Sequence, residues 1–355
     1  MEVCNPIASL GTEDGSEAGN GNALENASAK AGEELATEAA RAGQTRASVL
    51  DSWIAADSKS LDLLEQTQKI AVSASTVLIR GESGTGKDLL ASILHYLGPH
   101  ADEPLVKIDC ASLPPAMVEN ELFGYERGAS TSATQTKRGR LEMAGRGTIV
   151  LDEVAALSMP VQAKLLRVIE EKRFQRLGGT RTIEVDARII ALTSIDLERA
   201  VARRSFREDL YYRLSVIPLA VPPLRERPRD VRPLARHMLE QLADIHRKPQ
   251  LSFSGEVVAA LEQYSFPGNV RELRNLVERA VIYGATPVIM LEDMPANVRE
   301  QAPNGNGHKK SLEELEREYI AEILNYTRGK KTKAAAILGI SRKTLLEKRK
   351  RYGLG

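Results

Sequence analysis

The sequence predicts an α/β fold with a parallel sheet wound around a phosphate-binding turn, then a smaller helical subdomain and an all-α helix-turn-helix end. Three features carry this prediction. An apolar run, Val77-Leu78-Ile79, feeds a glycine-rich turn, Gly81-Glu82-Ser83-Gly84-Thr85-Gly86-Lys87. A second apolar run, Thr148-Ile149-Val150-Leu151, ends in Asp152-Glu153. Near the C-terminus, Gly339 separates two short helical patterns, and the second is rich in Lys and Arg.

The turn after the first run is a phosphate cradle. Glycines let the backbone curl until its N–H groups converge on an anion, the next helix offers its positive end, and Lys87 reaches the terminal phosphates. A helical pattern, Leu89, Leu90, Ile93 and Leu94, follows it. The residue that usually holds Mg²⁺ after the lysine is Ser or Thr, and here it is Asp88. The second run reads as a buried parallel strand with two carboxylates at its carboxyl end, where open α/β sheets bind ligands. One carboxylate can hold Mg²⁺ and the other can polarise an attacking water, as nucleotide hydrolysis requires.

Other strands are expected at Leu105–Ile108, Ile183–Leu192 and Val216–Leu219, with helices at Ser60–Ala71, Lys87–Tyr96 and Val161–Glu171. Their alternation implies a parallel sheet covered on both faces across residues 51–222. After Pro222-Pro223 the pattern turns helical, near Val231–His246, Ser254–Tyr264 and Asn269–Gly284, giving a helical subdomain over 223–301. Residues 302–310 form a linker.

From 311 to 355 a helix at Leu312–Tyr326 precedes a helical pair. Thr332 starts the first of the pair, Ala335, Ala336 and Leu338 give it a small apolar face, and Gly339-Ile340 makes the turn. Ser341 caps a second helix bearing Arg342, Lys343, Thr344, Lys348 and Arg349, a form suited to the DNA major groove.

Net charge over the 355 residues is only +1, but it is unevenly spread. Between Arg328 and Arg351 there are ten Lys or Arg residues and one acid, Glu347, which points to a nucleic-acid partner. Residues 1–50 are rich in Ala, Gly, Glu, Ser and Asn, so they are expected to form a disordered tail too short for a regulatory domain. No apolar run approaches the ~18 residues of a membrane span, and no secretory leader is visible, so a cytoplasmic location is expected. The two cysteines, Cys4 and Cys110, are too few for a metal site, and Cys110 reads as a small buried hydrophobe.

With these parts in place, residues from about Trp53 to Gly355 resemble the bacterial enhancer-binding proteins, AAA+ P-loop ATPases that activate sigma-54 RNA polymerase. Further motifs match: Glu121-Leu122-Phe123-Gly124, Phe206-Arg207-Glu208-Asp209-Leu210-Tyr211-Tyr212-Arg213, Pro222-Pro223-Leu224-Arg225-Glu226-Arg227 and Phe266-Pro267-Gly268-Asn269-Val270-Arg271-Glu272-Leu273.

The resemblance implies the AAA+ fold with a helical lid, ATP and Mg²⁺ as ligands, and a homo-oligomer of dimer-to-hexamer size. Arg207 and Arg213 inherit the role of arginine fingers acting across a subunit boundary. Arg271 becomes the lid's sensor, Asp109 and Ser194 stand at nucleotide-sensing positions, and Asp88 falls where the family commonly has an acid. In the sensor segment Asn269 is expected to cap the helix, with Glu272 capping back. The bland reading of the two fingers is surface pairing with Glu208 and Asp209.

The family's sigma-54-contacting loop reads G-A-F-T-G-A, and here the stretch is Gly128-Ala129-Ser130-Thr131-Ser132-Ala133. Ser130 replaces the aromatic that would bury apolar surface on a partner, and Ser132 replaces a glycine. Two outputs stay open on these residues: an ATP-driven remodeller of sigma-54 polymerase, or a DNA-binding regulator or repressor in which ATP controls oligomerisation without sigma-54 contact. Asp109 and Ser194 both replace a family Asn. If Asp109 approached Glu153, one carboxyl pKa would rise.

Overall fold

In the computed structural model the structure describes residues 49, 52–129, 133–248, 250–284, 286–300, 312–327 and 330–353. The expected tail, the linker and loop residues Ser130, Thr131 and Ser132 lie outside them, apart from Val49.

Five strands form one parallel sheet: β1 (Val77–Arg80), β2 (Leu105–Asp109), β3 (Thr148–Asp152), β4 (Arg188–Thr193) and β5 (Ile217–Ala220), in the order β2-β3-β4-β1-β5. The three central strands β1, β3 and β4 are buried almost throughout, as strands covered on both faces must be. β5 lies at an edge, which tolerates Pro218 because the missing N–H can face away from the ladder. The flanking helices include α1 (Ser58–Ala71), α2 (Lys87–Tyr96), α3 (Met159–Glu171), α4 (Leu197–Ala202) and α5 (Glu208–Leu214).

One expected strand is two. Thr182–Glu184 pairs antiparallel with Arg173–Gln175 in a separate hairpin, and the central sheet resumes only at Arg188. Arg188 explains the break. Its buried guanidinium donates to Ala71 and Ile70 carbonyls of α1 and to Leu94 of α2, so it closes two helix ends from the first residue of β4. Burial pulls its pKa down to about 10.

That hairpin is stapled to a second one, Gly124–Tyr125 with Lys137–Arg138, through Glu126 N–H to Leu177 O and Leu177 N–H to Gly124 O. The second hairpin carries the segment that matches G-A-F-T-G-A, whose base is closed by Gly128 N–H to Ala133 O at 2.8 Å.

Residues Val231–Ile245 (α6), Gly255–Gln263 (α7) and Asn269–Tyr283 (α8) build the helical lid around its own core of Leu224, Leu239, Leu261, Phe266, Leu273 and Val277. The C-terminal unit comprises α9 (Leu312–Tyr326), α10 (Lys331–Ile337) and α11 (Arg342–Arg351), packed on Ile320, Ile323, Ala334, Ala335 and Leu345. The buried alanines are Ala334 and Ala335, one residue earlier than expected, with Ala336 exposed. Gly339 turns the chain at φ +67°, a conformation glycine reaches at little cost. Among the described residues, no helix is long and apolar enough to cross a membrane.

Candidate nucleotide site

β1, β2, β3 and β4 all deliver their carboxyl ends to one place. The cradle leaves β1 with Gly81 N–H bonded to Thr193 O of β4, and α2 begins at Lys87 immediately after Gly86 at φ +102°. Lys87 is almost fully buried, and its ammonium donates to Gly81 O at 2.7 Å and Glu82 O at 3.1 Å. It also lies 3.8 Å from Glu153 Oε1. Burial lowers the Lys87 pKa, against the opposing charges of Glu153, Asp152 and Asp88.

Asp152 ends β3, and Glu153 follows in a left-handed conformation at φ +49°. That is uncommon for a residue with a side chain and is characteristic of functional turns. Glu153 Oε2 accepts the Ser194 hydroxyl at 2.8 Å and the Ser194 N–H at 3.0 Å. Ser194, just past β4, thus makes the contact with the glutamate.

Asp109 is the register partner of Asp152 but turns into its own loop, where Oδ1 accepts Ala111 N–H at 2.9 Å and Ser112 N–H at 3.1 Å. These local amides engage the Asp109 carboxylate. Burial, and then the charge of Asp88, raises the pKa of Asp152.

A residue that sequence reasoning missed lies between the two candidate metal ligands. Lys107 of β2 donates to Asp88 Oδ1 and sits 3.2 Å from Asp152 Oδ2. Burial opposes its charge, but the hydrogen bonds and charges of the two aspartates outweigh that and raise its pKa. A cation already bridges Asp88 and Asp152, so this point of the site suits positive charge. Among the described residues no cluster of three metal-ligating side chains occurs. Two hard carboxylates are nonetheless what Mg²⁺ uses when phosphate oxygens and waters complete its shell, so Asp152 and Asp88 fit that ion.

The lid meets the cradle directly. Arg271 donates to Ser83 Oγ at 2.8 Å, and Arg225 forms a two-pronged pair with Glu82 at 2.6 and 2.8 Å. Hydrogen bonds from Arg225 and Asn269 hold the Glu82 carboxyl down at about 2. Asn269 does not cap α8 as expected; Gly268 takes that position. Fully buried in a left-handed conformation at φ +53°, Asn269 accepts Leu224 N–H at 2.8 Å and donates to Ser83 O and Glu82 Oε2. Glu272 does cap back, accepting Gly268 N–H at 2.7 Å.

Arg207 is the N-cap residue of α5 and Arg213 lies in its last turn. Arg207 grips Asp209 through two bonds of 3.0 and 2.7 Å, and Arg213 Nε donates to Glu170 at 3.0 Å. The buried Gln162 side chain of α3 fixes the segment by accepting Arg207 N–H at 2.8 Å. Tyr211 on α5 shares its hydroxyl with Arg80 at 2.8 Å and Glu198 at 2.6 Å, which ties α5 to the strand that launches the cradle.

In the C-terminal unit Ser341 accepts Thr344 N–H at 3.0 Å and so caps α11. Arg342 and Lys343 are exposed at its start. Lys348 faces inward, pairing with Glu316 of α9 at 2.6 Å, and Arg351 pairs with Glu313 at 2.6 Å. The basic end of α11 therefore serves partly to fasten it to α9. Cys110 is buried, and its thiol is pushed up to about 12 by desolvation, which leaves it an inert apolar side chain.

A cradle on a five-stranded parallel sheet, a helical lid bonded to it and a helix-turn-helix unit define an AAA+ ATPase joined to a DNA-binding type of domain. Residues 53–220 match the sigma-54 interaction domain family, residues 225–311 the AAA+ ATPase lid domain, and residues 311–352 the Fis family of bacterial regulatory proteins. The regulatory protein AtoC of Escherichia coli K12 is 42% identical over 304 residues, covering 83% of this chain and 66% of AtoC. The nitrogen fixation protein AnfA of Azotobacter vinelandii is 43% identical over 297 residues, covering 82% and 56%. The crystal structure of Brucella abortus NtrX in complex with ATP superposes with a TM-score of 0.65 at 34% identity, over 85% of this chain and 69% of that one. The chain spans about two thirds or less of the length of the curated relatives it matches. It belongs to the family of sigma-54-dependent enhancer-binding activators, AAA+ ATPases with a Fis-type helix-turn-helix.

Proposed function

We propose that this chain binds DNA through residues 311–355, assembles into a ring of up to six subunits, and hydrolyses ATP to remodel sigma-54 RNA polymerase. The convergence of Lys87, Asp152 and Glu153 at the carboxyl ends of β1 and β3 carries this reading. In it, the N–H groups from Gly81 to Gly86 hold the phosphates, Lys87 neutralises the terminal ones, and Glu153 polarises the attacking water. Asp152, with Asp88, would hold Mg²⁺, which when bound neutralises charge on the phosphate oxygens. Ser194 and Asp109 report the state of the site to the strands behind them, and Arg271 reports it to the lid. Arg207 and Arg213 complete the site of the neighbouring subunit.

On the DNA, Ser341, Arg342, Lys343 and Thr344 occupy the start of the reading helix, and Lys348 steadies it against α9. Ser130, Thr131 and Ser132 form the contact loop for sigma-54. The family match over residues 53–220 supports sigma-54 contact over the repressor reading. The serine substitutions in the loop are the one observation on the other side.

The test is an open-complex assay with purified sigma-54 holoenzyme and a bound upstream site, run beside an ATPase assay on the same protein. ATP-dependent open complexes are expected. ATPase activity without open complexes, restored by Ser130→Phe with Ser132→Gly, would instead establish the oligomerisation-controlled regulator.

A further inference from the structure

The carbonyls of the cradle are all occupied from behind, and the lid supplies much of that support. Gly81 O and Glu82 O accept Lys87 Nζ, Ser83 O accepts Asn269 Nδ2 at 3.1 Å, Gly84 O accepts Val270 N–H at 3.0 Å, and Thr85 O accepts Arg227 Nη2 at 2.7 Å. The last three donors belong to the lid and its entry. Packing is equally close: a Cβ at Gly84 would lie 2.5 Å from Gly268 O and 3.0 Å from Arg271 Cβ.

Arg227 is the unusual member. Its side chain is 3% exposed, its Nε has no hydrogen-bond partner among the described residues, and of the two carboxylates that act on it, Asp230 and Asp57, Asp230 is 3.8 Å away. That carboxylate, fully buried, is largely committed to Ala56 N–H at 2.6 Å, Asp57 N–H at 2.7 Å and the Ser60 hydroxyl at the start of α1. Burial pulls the Arg227 pKa down despite the charges of Asp230 and Asp57, and an apolar side chain would fill the space more cheaply. The return is the bond to Thr85 O.

A peptide unit is planar and trans, so fixing the direction of Thr85 O fixes the opposite direction of the Gly86 N–H. A charged donor on the oxygen also polarises the unit and makes that N–H a stronger donor. We propose that Arg227 is a positioning residue for phosphate binding: from the lid entry it holds and polarises the Thr85–Gly86 peptide so that the Gly86 N–H is aimed into the cradle. The inference rests on the ATP-binding reading of that cradle. It makes the lid a structural part of the phosphate site before Arg271 meets any nucleotide, and it links Asp230 and the start of α1 to the same peptide.

The test measures equilibrium binding of ATP, ADP and adenosine to the full chain by calorimetry, for wild type, Arg227→Met and Arg227→Lys. ATP and ADP are expected to bind Arg227→Met about tenfold or more weakly, the scale of one charge-assisted hydrogen bond, with adenosine affinity unchanged within about twofold. Arg227→Lys, which keeps a cationic donor, is expected to recover part of the ATP affinity. Equal loss for adenosine and ATP would reduce Arg227 to a packing role, and ATP affinity equal to wild type in Arg227→Met would overturn the proposal outright. If Arg227→Met does not fold, the same comparison is read from Arg227→Lys, with phosphate-bearing ligands weakened and adenosine spared. A wild-type chain that binds no ATP would refute the cradle reading itself, an outcome distinct from failure of Arg227.

Discussion

The cradle–lid junction and the finger edge lie on one subunit and are built in opposite ways. At the junction, Arg227, Asn269 and Asp230 are buried and bonded to backbone atoms, so the geometry is fixed before any ligand arrives. At the edge, Arg207 and Arg213 are held by side-chain pairs to Asp209 and Glu170 in solvent. Such pairs contribute little and release easily. Under the proposed ring assembly the contrast is a division of labour: what a subunit would keep for its own site is wired in, and what it would lend to a neighbour is parked on the surface.

The largest test of that division is at the edge. Arg207→Ala should lower the ATPase rate of assembled protein by roughly 10³–10⁵-fold, the range measured for arginine fingers in other nucleotide hydrolases. Mixing it with Lys87→Ala subunits should recover part of the rate, since each variant supplies what the other lacks. Steady-state ATPase across mixing ratios, with mixed rings verified by mass, decides it, and flat activity would break the contrast.

Within the subunit, Lys87→Ala should abolish ATP binding, whereas Glu153→Gln should bind ATP normally and lower turnover by roughly 10²–10⁴-fold, the usual worth of a general base. Calorimetry and single-turnover hydrolysis separate the two.

The same inside–outside difference runs along α11. Arg342→Ala or Lys343→Ala should relax base preference, with about 1–3 kcal/mol lost at a contacted base pair, while Lys348→Ala should mainly loosen the packing of α11 on α9. Binding titrations on mutated sites and thermal melts of the variants distinguish these outcomes.

The smallest effect is expected from the pairs that park the fingers. Asp209→Asn and Glu170→Gln should leave the unfolding midpoint within about 2 °C of wild type. A larger drop would mean the edge is wired like the junction.

Much of this was legible in the chain because it is written in local patterns. The cradle, the buried strand ending in Asp152-Glu153, and the capped basic helix after Gly339 each declare themselves within about ten residues. Lys107 did not. On β2 it is one exposed polar residue in an alternating strand, and only the parallel pairing of β2 with β3 brings it beside Asp152. Arg227 and Asn269 were hidden for a related reason: they sit in recognisable motifs, but what they touch lies about 140 and 186 residues away across the lid contact. The expected strand over Ile183–Leu192 failed because Arg188 is needed at two helix ends, a demand no periodicity expresses.

The bond between Ser194 and Glu153 divides the work of the two carboxylate oxygens. Both bonds fall on Oε2, so one oxygen of the carboxylate is pinned by Ser194 while Oε1 stays open, 3.8 Å from Lys87. Each hydrogen bond to a charged group is worth about 1.5–3 kcal/mol, and about 1.4 kcal/mol is a factor of ten in rate. In the proposed mechanism Ser194 thus orients the Glu153 carboxylate, holding one oxygen and leaving the other to take the water proton.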